Sequence, residues 1–162
     1  MANKHVLLEK PFTCTEEDAK HLIQIAKQRQ LFLMEGMWTR FFPAVEHARD
    51  LVLNQNIIGE VVSVYSDFNF NASDSEDYPS SFVYNRTLGG GASLLVAPYP
   101  LAAATLFFNG ATPDAIKVVG QKDATTGVDL QAAMVVSFPP TGDIAPAVDD
   151  SNTEESTPKL PG

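Results

Sequence analysis

Two residues, a lysine and a tyrosine, are the strongest candidates for moving a proton. Lys10 follows a short apolar run and precedes Pro11, and Tyr99 lies between two prolines after a glycine-rich stretch. An unaided tyrosine hydroxyl keeps its proton at neutral pH, whereas a nearby ammonium favours the phenolate. Together the two groups could donate a proton to a developing alkoxide, as in ketone reduction or its reverse. The alternatives are a solvated lysine at a strand end and a tyrosine packed in the core.

The glycine-rich stretch before the tyrosine could approach a ligand closely. Gly89, Gly90 and Gly91 permit positive φ angles and leave room for a ligand against the backbone. They do not form the dinucleotide-binding pattern Gly-x-Gly-x-x-Gly, because Leu94 occupies the place of its last glycine. We expect Gly90 and Gly91 to form a pocket wall; the alternative is the entrance to a core helix.

Trp38 and Arg40 lie in the stretch EGMWTRFFP, just after a predicted strand. An indole could cover a flat ligand, and a guanidinium could hold a phosphate or a carboxylate. A core tryptophan and an arginine at a helix start would explain the same residues. The histidines and the single cysteine show no metal-ligand spacing, so the sequence predicts no metal site.

The elements that must position these residues alternate at first between strand and helix. Residues 4–9 and 31–36 predict strands, residues 13–30 predict a helix capped by Thr13 or Thr15, and Pro43 begins a second helix to residue 55. This order predicts parallel strands joined by a crossover. It places Lys10 beyond the carboxyl end of a strand, where ligands bind in open parallel sheets.

The second part of the chain follows a different period. Residues 59–70, 114–121 and 128–138 alternate apolar and polar side chains, which predicts strands with one covered face. A polar loop and the helix after the glycines separate them, so we expect an α+β part with a mostly antiparallel open sheet. Residues 139–162 contain five prolines and five acids, a composition typical of a disordered tail.

Composition limits the partners and the compartment. The formal charge of −9 argues against a nucleic-acid surface or an anionic membrane as partner. Cys14 is the single cysteine and the N-terminus has no leader pattern, so we expect a cytoplasmic protein. The apolar run 93–108 is short and contains two prolines, which favours a buried helix over a membrane span.

The stretches HVLLEKPF, MWTRFFPA, IGEVVSV and LGGGASLLVAPYPL resemble, in this order, the glucose–fructose oxidoreductase / inositol dehydrogenase family. The MWTRFFPA form is similar to its dimeric dihydrodiol dehydrogenase branch, which includes NADP-dependent D-xylose dehydrogenases. The resemblance extends from Lys4 to Phe138. It implies an α/β remnant of a Rossmann domain, followed by an α+β part with a mostly antiparallel open sheet that commonly forms a dimer.

The resemblance also implies an activity, which is hydride transfer at a hydroxyl-bearing carbon of a sugar or trans-dihydrodiol. The cofactor would be NADP, or else NAD, and Glu9, Lys10, Pro11 and Arg40 would lie beside it. Lys10 and Tyr99 would handle the proton. The substrate pocket would be lined by Trp38, Gly90 and Gly91.

By this resemblance, residues 1–40 are the end of a dinucleotide-binding domain, 41–138 an incomplete substrate and dimerisation domain, and 139–162 a tail. The family's Gly-x-Gly-x-x-Gly unit is absent, and Leu95 occupies a position where the family usually has an aspartate that orients the lysine. A leucine side chain cannot do this. We therefore expect a marginally stable fragment that oligomerises or aggregates and could be inactive. The alternative function is a non-catalytic module that dimerises through its sheet.

Overall fold

The first strand–helix–strand unit forms as the sequence predicts. In this computed structural model, which describes residues 3–72 and 77–139, β1 (Val6–Glu9), α1 (Glu16–Gln28) and β2 (Leu33–Gly36) follow one another. The two strands pair in parallel, with Val6 opposite Leu33 and Glu9 opposite Gly36. Parallel pairing places both carboxyl ends at one edge, so Lys10 and Trp38 emerge side by side. The predicted tail at 140–162 lies outside the described residues.

Two local signals set the helices that follow the strands. Of the two predicted caps of α1, Thr15 is the observed one, since its hydroxyl accepts a hydrogen bond from the Asp18 N–H at 3.1 Å. Trp38–Phe41 form a 3₁₀ turn, and Pro43 then begins α2 (Pro43–Arg49), which continues as a π-helical turn over Asp50–Asn54. Proline suits the first helical position because the N–H it lacks has no partner there.

The predicted strand at residues 59–70 is not formed. In the described part of the chain, the backbone groups of residues 60–70 make no hydrogen bond with another backbone segment. The alternating pattern is present, but a strand exists only when a neighbouring strand pairs with its N–H and C=O groups. The segment lies beside the second sheet and lines a cavity of about 400 Å³ there without pairing with it.

The apolar run after the glycines folds into two helices. Single 3₁₀ turns at Phe82–Tyr84 and Arg86–Leu88 lead into α3 (Ala92–Leu95), and α4 (Pro98–Phe107) follows after two residues. Pro98 separates the helices because it has no N–H to continue the hydrogen-bond ladder. This short interruption sets where Tyr99 points relative to the end of α3.

The second sheet consists, among the described residues, of two antiparallel strands. β3 (Ala115–Lys122) pairs with β4 (Asp129–Ser137), with Ala115 opposite Ser137. Both faces of this pair are largely exposed. Few apolar side chains of the described residues are fully covered: Met37, Tyr84, Ala97, Ala111 and Val128.

Candidate active site

The structure brings the two candidate proton-handling residues together. The Lys10 ammonium lies over the ring of Tyr99, with 4.6 Å between Nζ and the ring centroid. Lys10 follows the carboxyl end of β1, and Tyr99 is the second residue of α4. A cation over an aromatic face is attracted by the electrons of the ring. The two residues are distant in sequence, so only the tertiary fold creates this pair.

The Tyr99 hydroxyl has a hydrogen-bond donor of its own. The indole N–H of Trp38 donates to the Tyr99 oxygen at 3.1 Å, and their rings meet edge-on at 6.0 Å. Because Trp38 occupies a lone pair of that oxygen, the hydroxyl proton remains available to point elsewhere. No acceptor for that proton is found among residues 3–72 and 77–139. Trp38 therefore lies in the predicted site and is half-exposed.

Phe68 completes an aromatic cluster around the tyrosine, and sequence reasoning did not single it out. Its ring lies 5.1 Å from that of Tyr99, and Phe42 contacts the other side of Trp38 at 5.2 Å. Phe68 belongs to the extended segment that the sequence assigns to a strand, where it reads as a core residue. Its alternating position gave no indication that it would reach the site.

These aromatic residues border an open cleft of about 480 Å³. Trp38, Phe68 and Tyr99 line one end, and α2 and α4 form its sides through Val45 and Leu106. The volume falls within the range of small-molecule pockets, and the walls are mainly apolar with a few polar groups, as in such sites. The cleft can therefore hold a small organic ligand next to the Tyr99 hydroxyl.

A main-chain carbonyl holds Lys10, which corrects the expectation that position 95 cannot orient it. Nζ of Lys10 donates to the carbonyl oxygen of Leu95 at 2.6 Å. In a continuous helix this oxygen would accept from the N–H of Tyr99, but that N–H bonds to the oxygen of Val96 at 3.1 Å. The break at Pro98 thus leaves the Leu95 carbonyl free for the lysine.

The remaining cofactor-side candidates lie near the strand ends. Glu9 is the last residue of β1, and Pro11 follows Lys10 in the turn beyond it. Glu35 supports this turn, since its carboxylate accepts a hydrogen bond from the Phe12 N–H at 2.9 Å. Glu35 was missed because a carboxylate within a short strand does not announce a partner beyond the next strand's end.

Arg40 points toward a helix rather than toward the turn that carries Lys10. Its guanidinium donates to the hydroxyl of Thr105 at 2.6 Å and to the carbonyl of Ala102 at 3.3 Å. Both acceptors belong to α4, so Arg40 ties the 3₁₀ turn to that helix. It also lines the cleft beside Tyr99. Its assignment to the cofactor stays a prediction.

Gly90 and Gly91 are buried, and their surroundings explain why they are glycines. A Cβ on Gly90 would lie 2.5 Å from the oxygen of Val83 and 2.7 Å from that of Phe82. Gly91 has φ +109°, and a Cβ there would collide with the carboxylate of Asp129. Gly91 lines the cavity beside the second sheet, and neither glycine lines the cleft beside Tyr99. Their role in a substrate pocket stays a prediction.

A parallel strand–helix–strand unit, an antiparallel sheet and a lysine–tyrosine pair between them define an oxidoreductase of the Rossmann type. Residues 1–37 match the oxidoreductase family with an NAD-binding Rossmann fold, and residues 45–145 match the GFO/IDH/MocA C-terminal domain. The chain belongs to the GFO/IDH/MocA family. This family membership favours the oxidoreductase interpretation over a non-catalytic interaction module.

Curated relatives of the chain are dehydrogenases. The chain is 35% identical over 148 residues to D-xylose 1-dehydrogenase (NADP(+)) of Hypocrea jecorina, and this match covers 85% of the chain and 38% of the relative. It is 38% identical to trans-1,2-dihydrobenzene-1,2-diol dehydrogenase of Danio rerio and 35% identical to that of Homo sapiens, each match covering 85% of the chain. The chain spans less than two-fifths of the length of these relatives.

Solved structures show the same fold at low identity. GenD2 from gentamicin A biosynthesis, in complex with NAD, superimposes with a TM-score of 0.63 at 16% identity, over 84% of this chain and 38% of GenD2. An NAD-binding protein from Listeria innocua gives a TM-score of 0.57 at 19% identity, over 83% of this chain and 38% of that protein. The arrangement of both parts of the chain is therefore that of dehydrogenases.

No single helix within the described ranges is long and apolar enough to cross a membrane. The segments Arg86–Leu95 and Pro98–Phe107 reach that length and composition only when taken together, and they are bent by 44°.

Proposed function

We propose that this chain carries the proton-transfer and substrate-binding part of an NAD(P)-dependent dehydrogenase. The substrate is a small molecule with a hydroxyl-bearing carbon, in the class of sugars and trans-dihydrodiols. One observation carries the proposal: the Lys10 ammonium and the Tyr99 hydroxyl meet at the mouth of an apolar cleft, in a chain of this family. The names of the relatives support the substrate class and favour NADP as cofactor.

The proton moves through Tyr99 in this proposal. During oxidation, the substrate hydroxyl loses its proton to the tyrosine oxygen, and during reduction the tyrosine returns it to the alkoxide. Trp38 fixes the hydroxyl through its 3.1 Å hydrogen bond, and the positive charge of Lys10 over the ring stabilises negative charge on the phenol. The aromatic walls hold the carbon skeleton of the substrate.

Bound NAD(P) would supply the hydride acceptor or donor. The residues of this chain fit the nicotinamide end of that cofactor, because the turn from Glu9 to Pro11 leaves β1 beside the cleft and carries the ammonium that contacts Tyr99. The pyrophosphate has no such cradle, since the sequence contains no Gly-x-Gly-x-x-Gly turn. We therefore expect cofactor binding well below that of a complete nucleotide-binding domain.

Two measurements on the full chain test the proposal. The first is the NADPH fluorescence change on titration, and the second is NADPH formation from NADP⁺ with D-xylose or a trans-dihydrodiol at high cofactor concentration. Tyr99→Phe should lower the rate about 10²- to 10⁴-fold, whereas Tyr78→Phe should leave it unchanged because that hydroxyl faces Asp123 on the second sheet. Absence of both NADPH binding and turnover in the unmodified chain would reject the proposal.

We also propose that copies of the chain associate through the β3–β4 pair. Val119 and Val135 lie on one face of this pair and are each 72% exposed, and Ile116 and Val118 are exposed on the other. Apolar strand faces and unpaired strand edges favour association. Sedimentation should detect oligomers that Val119→Glu with Val135→Glu disrupts, while Lys117→Glu on the same face has a smaller effect. A monomer at all concentrations would contradict this.

A further inference from the structure

We infer that Asp129 is a positioning residue that holds Lys10 in place through helix α3. The inference rests on the proposed function for the importance of Lys10, but the contacts themselves are independent of it. Asp129 begins β4, far from Lys10 in the chain and on the other side of α3. Its carboxylate has no direct bond to the lysine and acts on the element between them.

The first contact joins the second sheet to α3. Oδ2 of Asp129 accepts a hydrogen bond from the Ser93 N–H at 2.6 Å and a second from the Ser93 hydroxyl at 2.7 Å. Ser93 is the second residue of α3, so its N–H lacks a partner within the helix and a carboxylate is a favourable acceptor. Gly91 leaves the space that this carboxylate occupies, because a Cβ at that position would collide with it.

The second contact joins α3 to the lysine. Leu95 ends α3, and its carbonyl oxygen accepts the 2.6 Å hydrogen bond from Lys10 Nζ. A helix of a single turn is only marginally stable without support at its ends. If the Ser93 end is released, the Leu95 carbonyl no longer has a fixed position. The carboxylate therefore controls where the ammonium lies relative to Tyr99.

A comparison within the same strand pair provides the control. Asp123 also uses a carboxylate to cap a local turn, since it accepts from the Thr126 N–H at 2.8 Å and hydroxyl at 2.6 Å. It stabilises the connection between β3 and β4 and does not contact α3. Asp123→Ala therefore disturbs the sheet by the same chemistry without reaching Lys10.

The test measures Lys10 directly and does not require activity. The full chain is treated with limiting acetic anhydride, and the acetylation rate of each lysine is measured by peptide mass spectrometry, with Lys20 as internal reference. A charge-assisted hydrogen bond protects Lys10, so Asp129→Ala should raise its acetylation rate about tenfold. Asp129→Asn keeps an oxygen acceptor for Ser93 and should restore most of the protection, whereas Asp123→Ala should change nothing.

Two further outcomes separate the inference from the proposed function. If Asp129→Ala fails to fold, Ser93→Ala removes only the hydroxyl bond and should still raise the Lys10 rate about threefold, as expected for loss of part of the cap. Equal Lys10 rates in Asp129→Ala, Asp123→Ala and the unmodified chain would overturn the inference. A raised rate in a chain that neither binds NADPH nor turns over would support the positioning role and reject only the proposed function.

Discussion

Lys10 and Tyr99 face each other across the junction of the two parts of the chain, with the ammonium 4.6 Å from the centroid of the phenol ring. The lysine is held by the carbonyl at the end of α3, and the tyrosine is held by the indole of Trp38. Each member of the pair is thus fixed by a group that is not itself a member. This arrangement leads to four predictions about the pair and its supports.

The pair should behave as one unit in kinetics. Lys10→Met and Tyr99→Phe should each lower kcat about 10²-fold or more, and the double variant should lose little beyond the weaker single variant, because groups that act together are not additive. Steady-state rates of NADPH formation measure this. Lys20→Met is the control, since its ammonium pairs with Glu16 on the exposed face of α1. Independent, multiplying losses would show that the two residues act separately.

Trp38 should matter mainly through its N–H group. Trp38→Phe keeps an aromatic ring but removes the donor to Tyr99, so kcat should fall about tenfold while KM for the substrate stays close to its original value. Trp38→Ala removes the ring as well and should also raise KM. Both constants come from substrate saturation curves. A Trp38→Phe variant with unchanged kcat would mean that the hydrogen bond has no role in turnover.

Two glycine substitutions should separate crowding from backbone strain. Gly90→Ala places a Cβ against three backbone atoms and should lower the free energy of unfolding by about 3 kcal/mol. Gly110→Ala meets nothing within 4 Å but has φ +74°, so it should cost only about 1 kcal/mol. Urea unfolding measures both. If Gly110→Ala proves the more harmful, the crowding around Gly90 is not what the structure indicates.

The Asp123 turn should contribute stability above an acidic threshold. The hydroxyl of Thr126, followed by its N–H, lowers the pKa of the Asp123 carboxyl below its usual range. A lowered folded-state pKa stabilises the fold above the unfolded value of about 3.9 and ceases to do so as the pH falls through the folded value. Thr126→Val should therefore raise the pKa of Asp123 and reduce stability at neutral pH but not in strong acid.

Carboxyl chemical shifts in a pH titration measure this change directly. Asp50 is the internal control, because Asn54 and Gln55 lower the pKa of its carboxyl and neither contacts Thr126. An Asp123 titration that is unaffected by Thr126→Val would show that the backbone donor alone sets its pKa.

The sequence by itself determined the local elements and the family of the protein. The Thr15 cap, Pro43 at the start of α2, and the apolar runs of β1 and β2 depend on neighbours close in the chain, and they form as predicted. The motifs around Lys10, Trp38 and Tyr99 were sufficient to indicate the GFO/IDH/MocA family, which the comparisons confirm. The division at residue 40 and the roles of the site residues stay predictions.

Only the tertiary structure decided which groups meet. The alternating segment 60–70 predicts a strand, but pairing needs a second strand, and that condition is not written in the segment itself. The carbonyl of Leu95, the ring of Phe68 and the carboxylate of Asp129 reach the site from distant parts of the chain. Side-chain type records what a residue can do, whereas a main-chain carbonyl exists at every position. Which carbonyl is free to hold a lysine depends on where the helix breaks.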